Sequence, residues 1–179
     1  MSRFSRWAQT EYPFRARIAA TLLAGVIFLI LLPYLILVIC PSLDQRLGIG
    51  GFSPGIPTYI LGGIMSLGGL FFGLWSIVEQ LTRGRGTPLP MMPTQGLLTT
   101  GPFRYCRNPM TFGAVLIYLG MSIAAGTVVG VAVTLSLASL LITYLKRVEE
   151  KELAERFGEE YLAYKREVPF IIPTLQRRD

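Results

Sequence analysis

Arg104, Arg107 and Asn108 crowd into GPFRYCRNPM (residues 101–110), and two adjacent glutamates, Glu149 and Glu150, follow further along the chain. Guanidinium groups suit carboxylates and phosphates, which they grip through paired hydrogen bonds. Carboxylates suit an ammonium, or take a proton from a reacting group. The chain contains no histidine, which excludes an imidazole base, a histidine-ligated metal and a Ser-His-Asp triad. Neither a CxxC pair nor a P-loop is present, and no metal site is expected. The two cysteines, Cys40 and Cys106, fall on opposite sides of the bilayer in the topology derived below, so no disulfide is expected and each reads as a small hydrophobe.

Something must hold those polar groups together, and the composition says what kind of scaffold it is. Of 179 residues, 51% are hydrophobic and 16% charged, with a mean hydropathy of +0.49; that balance belongs to the membrane class. The net charge of +6 comes from Lys and Arg lying outside the apolar runs, so it points to membrane topology rather than nucleic acid.

A membrane span needs roughly 20 apolar residues. Residues 18–40, with Pro33 predicting a kink, and residues 57–79 each qualify. Gly69 and Gly73 in the second run make a small-xxx-small pair that would let another helix approach closely. Residues 110–145 stay apolar for 36 residues, about 54 Å as one helix, so a hairpin broken near Gly126 and Thr127 is expected, with spans near 110–125 and 128–146.

Lys and Arg alternate accordingly: four in residues 1–17, one in 41–56, four in 80–109, none in the 126 turn and eight in 146–179. The positive-inside rule then puts both termini and the 80–109 loop in the cytoplasm. The basic start precedes an apolar run too long for a signal peptide, so an uncleaved anchor is expected. The fold expected is all-α: one domain over residues 1–179, an integral membrane bundle of four transmembrane helices with a cytoplasmic amphipathic C-terminal helix.

In that tail Leu153, Phe157, Tyr161 and Tyr164 recur at helical spacing, Gly158 is a weak point, and VPFIIP ends the helix. The hairpin brings Arg104, Arg107 and Asn108 opposite Glu149 and Glu150. Read alone, Lys146 with Glu150, Lys151 with Glu155 and Glu152 with Arg156 are i,i+4 pairs on a solvated helix, and the arginines are anchors for lipid phosphate.

GPFRYCRNPMTFG, then EEKELAERFGEEYLAY and VPFIIP, resemble in order the motifs of the isoprenylcysteine carboxyl methyltransferase and phospholipid methyltransferase family of integral membrane enzymes, over about residues 83–173. The resemblance implies a methyltransferase dependent on S-adenosylmethionine, acting on a lipophilic or membrane-associated acceptor: a lipid amine, a thiol or a carboxylate. It places Arg107, Asn108 and Pro109 on the family's Arg-His-Pro element, Gly113 on its glycine, Glu149 and Glu150 on its paired glutamates, and Tyr161 and Tyr164 on its tail tyrosines. These, with Arg104, are the candidate cofactor-binding residues; Arg107 and Glu150 are the candidate catalytic ones, with Glu149 ranked after Glu150 as base. Asn108 and Thr111 depart from the family's His and Tyr, and Asn108 cannot titrate. Two other readings remain at this point: an NADPH-dependent reductase similar to membrane sterol reductases, and a non-catalytic scaffold binding anionic lipid. A bacterial inner membrane is the expected location.

Overall fold

The computed structural model describes residues 13–85, 87 and 94–174. The basic residues Arg3, Arg6, Arg177 and Arg178 lie outside them. The described chain is helical throughout its ordered elements, and no strand occurs among the described residues. Among the described residues three helices are long and apolar enough to cross a membrane: α1 (Phe14–Leu47), α2 (Ile56–Thr82) and the 40-residue run Val128–Glu167. We divide that run into α4 (Val128–Tyr144), a π-helical turn (Leu145–Glu149) and α5 (Glu150–Glu167). Between them lies α3 (Pro109–Ala124), apolar but only 16 residues long, about 24 Å against the roughly 30 Å of a hydrocarbon core.

The break after α3 falls at Gly126, whose φ of +68° suits glycine. Thr127 then caps α4: its hydroxyl accepts from Gly130 N at 3.0 Å. The same hydroxyl donates to Asp44 Oδ2 at 2.5 Å, and Asp44 Oδ1 accepts from Val129 N at 3.0 Å. A buried carboxylate thus fastens the end of α1 to the N-terminus of α4, where the helix dipole favours negative charge.

Pro33 does not end α1. π-helical turns flank it at Ile27–Leu31 and Leu35–Ile39. In the first, Leu32 N donates to Ile27 O; the next carbonyl, Phe28 O, would be served in that pattern by residue 33, a proline with no N–H. Tyr118 of α3 supplies the missing donor, its hydroxyl reaching Phe28 O at 2.7 Å. In hydrocarbon an orphaned carbonyl has no water to turn to, so a neighbouring helix must satisfy it.

The tightest contact is between α2 and α3, which meet backbone to backbone through glycines seven residues apart on each helix. A Cβ at Gly69 would lie 2.4 Å from Gly113 O, and one at Gly62 would lie 2.4 Å from Gly120 O. A Cβ at Gly113 would come within 2.8 Å of Gly73 N. The helix that Gly69 admits is therefore α3 of the same chain; Gly73 offers only its backbone to Gly113, since a Cβ on Gly73 itself would meet nothing within 4 Å.

These contacts predict that Gly69→Ala lowers the melting temperature in detergent by an amount corresponding to about 1–3 kcal/mol of overpacking. Gly68→Ala, where a Cβ meets nothing within 4 Å, should leave it in place. Indistinguishable melting of the two variants would refute the backbone contact.

Candidate functional site at the basic end of the bundle

At the end of the bundle where α2 stops and α3 begins, a 3₁₀ turn (Gly101–Arg104) leads into Asn108 and Pro109. Pro109 is the first residue of α3, where its missing N–H costs nothing and its φ is already helical. The site is built around Arg107. Its Nε and Nη2 donate to Glu150 Oε1 at 3.2 and 2.5 Å. Its Nη1 donates to Lys165 O at 2.8 Å and Val168 O at 2.5 Å. Lys165 Nζ takes the other carboxylate oxygen, Glu150 Oε2, at 2.7 Å. The Arg107 and Glu150 side chains are each only 10% exposed.

Lys165 and Glu150 are 15 residues apart, about 22 Å along a straight helix. They meet because α5 breaks at Gly158, with φ 54° and ψ −131°, and folds back on itself. Gly158, a weak point in the sequence reading, is a reversal. It also redirects Glu150: in place of an i,i+4 partnership with Lys146, Glu150 pairs with Arg107 and Lys165, while Lys146 Nζ lies over the Phe170 ring at 4.9 Å. Of the helical pairs expected, Glu152 with Arg156 forms, at 3.8 Å.

After α5 a strap closes over the start of α3. Arg107 N donates to Pro169 O at 2.9 Å, Asn108 N to Phe170 O at 3.1 Å and Thr174 N to Tyr105 O at 3.1 Å. Asn108 Nδ2 donates to the same Phe170 carbonyl at 3.0 Å, so its side chain positions the strap. Tyr161 and Tyr164 are buried with Val168 in a small core that Leu97, Leu153, Ala154 and Phe157 complete, and Tyr164 Oη donates to Phe103 O at 2.6 Å. Burial, with the charge of Glu150 adding to it, pushes the Tyr161 phenol up. Arg104 stands apart: it is exposed, its guanidinium 5.2 Å from the Tyr105 ring centre. Gly113 is buried against Gly69 and Gly73.

The two glutamates are shifted in opposite directions. Glu149 is half-buried and raised to about 7, first by burial and then by the charges of Glu152 and Glu150. Glu150 is buried too, but hydrogen bonds and charge from Lys165 and Arg107 outweigh the burial and hold it below the usual carboxylate range. Cys106 is fully buried and its thiol is pushed up to about 11 by that burial, so it is no thiolate nucleophile. Both cysteines are free. No cluster that could hold a metal occurs among the described residues.

Reading the sequence passed over Glu79, buried near the end of α2, which accepts from Thr100 Oγ1 at 2.5 Å and Arg83 Nη1 at 3.0 Å. Gly101 is shaped to it: at φ +57° a Cβ there would lie 2.9 Å from the Glu79 carboxyl carbon. The available signal was a lone carboxylate closing a long apolar run.

Apolar helices long enough to cross a membrane, carrying an ion-paired polar cap at one end of the bundle, define a membrane protein. The family model described as phospholipid methyltransferase matches residues 57–160; this is more than half of the chain, and the chain belongs to that family. The match takes in Arg104, Arg107, Glu149 and Glu150 and stops just before Tyr161. No curated protein and no solved structure matches the chain.

Because the folded chain holds the Glu149 proton more tightly than an unfolded one, Glu149 favours folding fully below about pH 4.5 and loses that contribution as pH rises through about 7. Glu150 has the opposite sign, favouring folding at neutral pH and losing its contribution on acidification. Glu149→Gln should therefore melt with a weaker decline between pH 5 and 8 than the parent protein. Superimposable pH profiles would remove Glu149 from this account.

Proposed function

We propose that the protein transfers a methyl group from S-adenosylmethionine to a lipid-type acceptor at the cytoplasmic face of a bacterial inner membrane. In this reading α3 and α4 are the third and fourth spans, and the Lys and Arg alternation puts both termini on the cytoplasmic side. The observation that carries the proposal is the Arg107–Glu150–Lys165 cluster beside the half-buried Glu149, at the basic end of the bundle in a chain of this family.

The donor set fits the cofactor. Its amino-acid portion carries a carboxylate and an ammonium, and the cluster offers cations and carboxylates side by side. Arg107 and Lys165 would bind the carboxylate, and Glu150, held ionised by both, would bind the ammonium. Arg104, Asn108 and Pro109 would shape the mouth of the pocket, Gly113 would set the depth of α3 beneath it, and Tyr161 and Tyr164 would wall it from the tail.

When bound, the cofactor supplies an electrophilic methyl on a sulfonium. The protein's own work is to align and desolvate the reactants and to take a proton where the acceptor carries one. For that step we place Glu149 ahead of Glu150: a base poised near neutrality suits proton transfer, whereas a carboxylate locked in two ion pairs does not. Asn108 in place of the family histidine is compatible with this division, since its amide serves the strap. Three carboxylates, Glu149, Glu150 and Glu152, weigh against a dinucleotide phosphate at the same place.

The test is calorimetric titration of detergent-purified protein with S-adenosylmethionine and its demethylated product, followed by radiolabelled methyl transfer into extracted membrane lipid. Arg107→Ala and Glu150→Ala should weaken cofactor binding about tenfold or more, in keeping with a lost charge-assisted contact. Glu149→Gln should keep binding and lose most transfer. Absence of any binding by the parent protein would sink the proposal; equal binding by all variants would sink only the residue roles.

A further inference from the structure

Glu79 stands in the last turn of α2, where burial and the negative end of the helix dipole both disfavour a carboxylate. Its surroundings show what is gained in return. Oε1 accepts from Thr100 Oγ1 and from Arg83 Nη1, and Gly101 lies against the carboxyl group with no room for a side chain. From Thr100 a run of backbone hydrogen bonds leads on toward the site. Phe103 N donates to Thr100 O at 3.1 Å, and Tyr105 N and Cys106 N donate to Pro102 O at 3.1 and 3.4 Å. Pro102 and Cys106 are fully buried, so the turn is packed as well as bonded, and Arg107 is the next residue.

We propose that Glu79 is a positioning residue for the Arg107 site: it fastens the turn from Thr100 to Cys106 onto α2 and thereby sets where Arg107 meets Glu150. Arg107 hydrogen bonds to α5 and the strap, through its side chain to Glu150, Lys165 and Val168 and through its N–H to Pro169. Those bonds tie it to the tail. Its place relative to the apolar bundle is left to the segment that leads into it, and α2 is the firm part of that bundle, locked to α3 by backbone contact at Gly62 and Gly69. Tyr164 Oη holds Phe103 O from the tail side, so the turn is clamped between α2 and α5. A carboxylate suits the α2 clamp because a charge-assisted hydrogen bond is roughly twice as strong as a neutral one. Glu79 thus acts through Arg107 rather than by contact with a reactant.

This role rests on the reading above for what Arg107 holds, but the placement of the turn is measured without cofactor. Hydrogen exchange of the detergent-purified protein, followed by mass spectrometry, reads it. Thr100→Val removes the hydroxyl at an exposed residue with little change of shape, and Glu79→Ala removes its acceptor. Each should speed exchange of the 103–108 amides about fivefold or more, the scale of a lost hydrogen bond to a charged group, and leave the 151–157 amides of α5 at their parent rates. Arg83→Gln should change neither, since that side chain is 63% exposed and such an ion pair is worth little. Titration with S-adenosylmethionine tests the link to the site. Thr100→Val and Glu79→Ala should each bind it about fivefold or more weakly, and in an Arg107→Ala background Glu79→Ala should cost nothing further. Parent-like exchange at 103–108 in both variants, an equal rise at 151–157, or losses that add to that of Arg107→Ala would each overturn the proposal. A parent protein that binds no S-adenosylmethionine defeats the methyl-transfer reading instead, and the exchange rates still decide this one.

Discussion

The ion pair between Arg107 and Glu150 is the constraint around which the polar end of this protein is organised. Two charges largely removed from water are tolerated only when each is paired and its remaining hydrogen-bonding capacity met, and removing one partner of such a pair typically costs about 3–5 kcal/mol. Here the remaining capacity is met by the tail. The carbonyls of Lys165 and Val168 take the other side of the guanidinium and Lys165 Nζ takes the second carboxylate oxygen. Satisfying two charges thus forces α5 to double back and the strap to lie over the start of α3, and that fold-back buries Tyr161 and Tyr164.

Within the apolar body the corresponding constraint is backbone proximity. With no hydrophobic drive between helices in lipid, close packing and satisfied polar groups decide which helices touch. The glycines of α2 and α3 supply the first, allowing carbonyls to approach where any Cβ would intrude. The Tyr118 hydroxyl on Phe28 O and the Asp44 carboxylate on Thr127 and Val129 supply the second and hold α1. A rigid α2–α3 pair in turn presents Arg107 at a defined height, and it places Trp75 against Tyr105.

Much of the fold was legible from hydropathy and turn chemistry because those properties are local: long apolar runs, a helix-breaking Gly-Thr at 126–127, and a proline at the first position of α3. The meeting of Arg107 with Glu150 was legible too, since a hairpin of two apolar segments returns the chain to its starting surface. What escaped were properties of partners. On its own helix Glu150 has Lys146 as an i,i+4 neighbour, a local geometry; the part of its pairing that spacing does not contain is Lys165, brought back by the reversal at Gly158. Tyr161 and Tyr164 read as an apolar stripe on a charged helix; the core they form with Val168 needs the fold-back at Gly158, which helical spacing does not contain. Glu79 and Asp44 gave little signal because a lone carboxylate acquires meaning only from the donors that surround it.

By itself the sequence determined the class: its apolar runs cannot be dissolved in water, its missing histidine removes whole chemistries, and its ordered motifs mark the family. Tertiary structure decided which of two neighbouring glutamates holds its proton more tightly. Identical side chains one residue apart differ because one meets two cations and the other meets burial and like charge. Such an environment is assembled from residues up to 43 positions away along the chain, and no short window of sequence contains it.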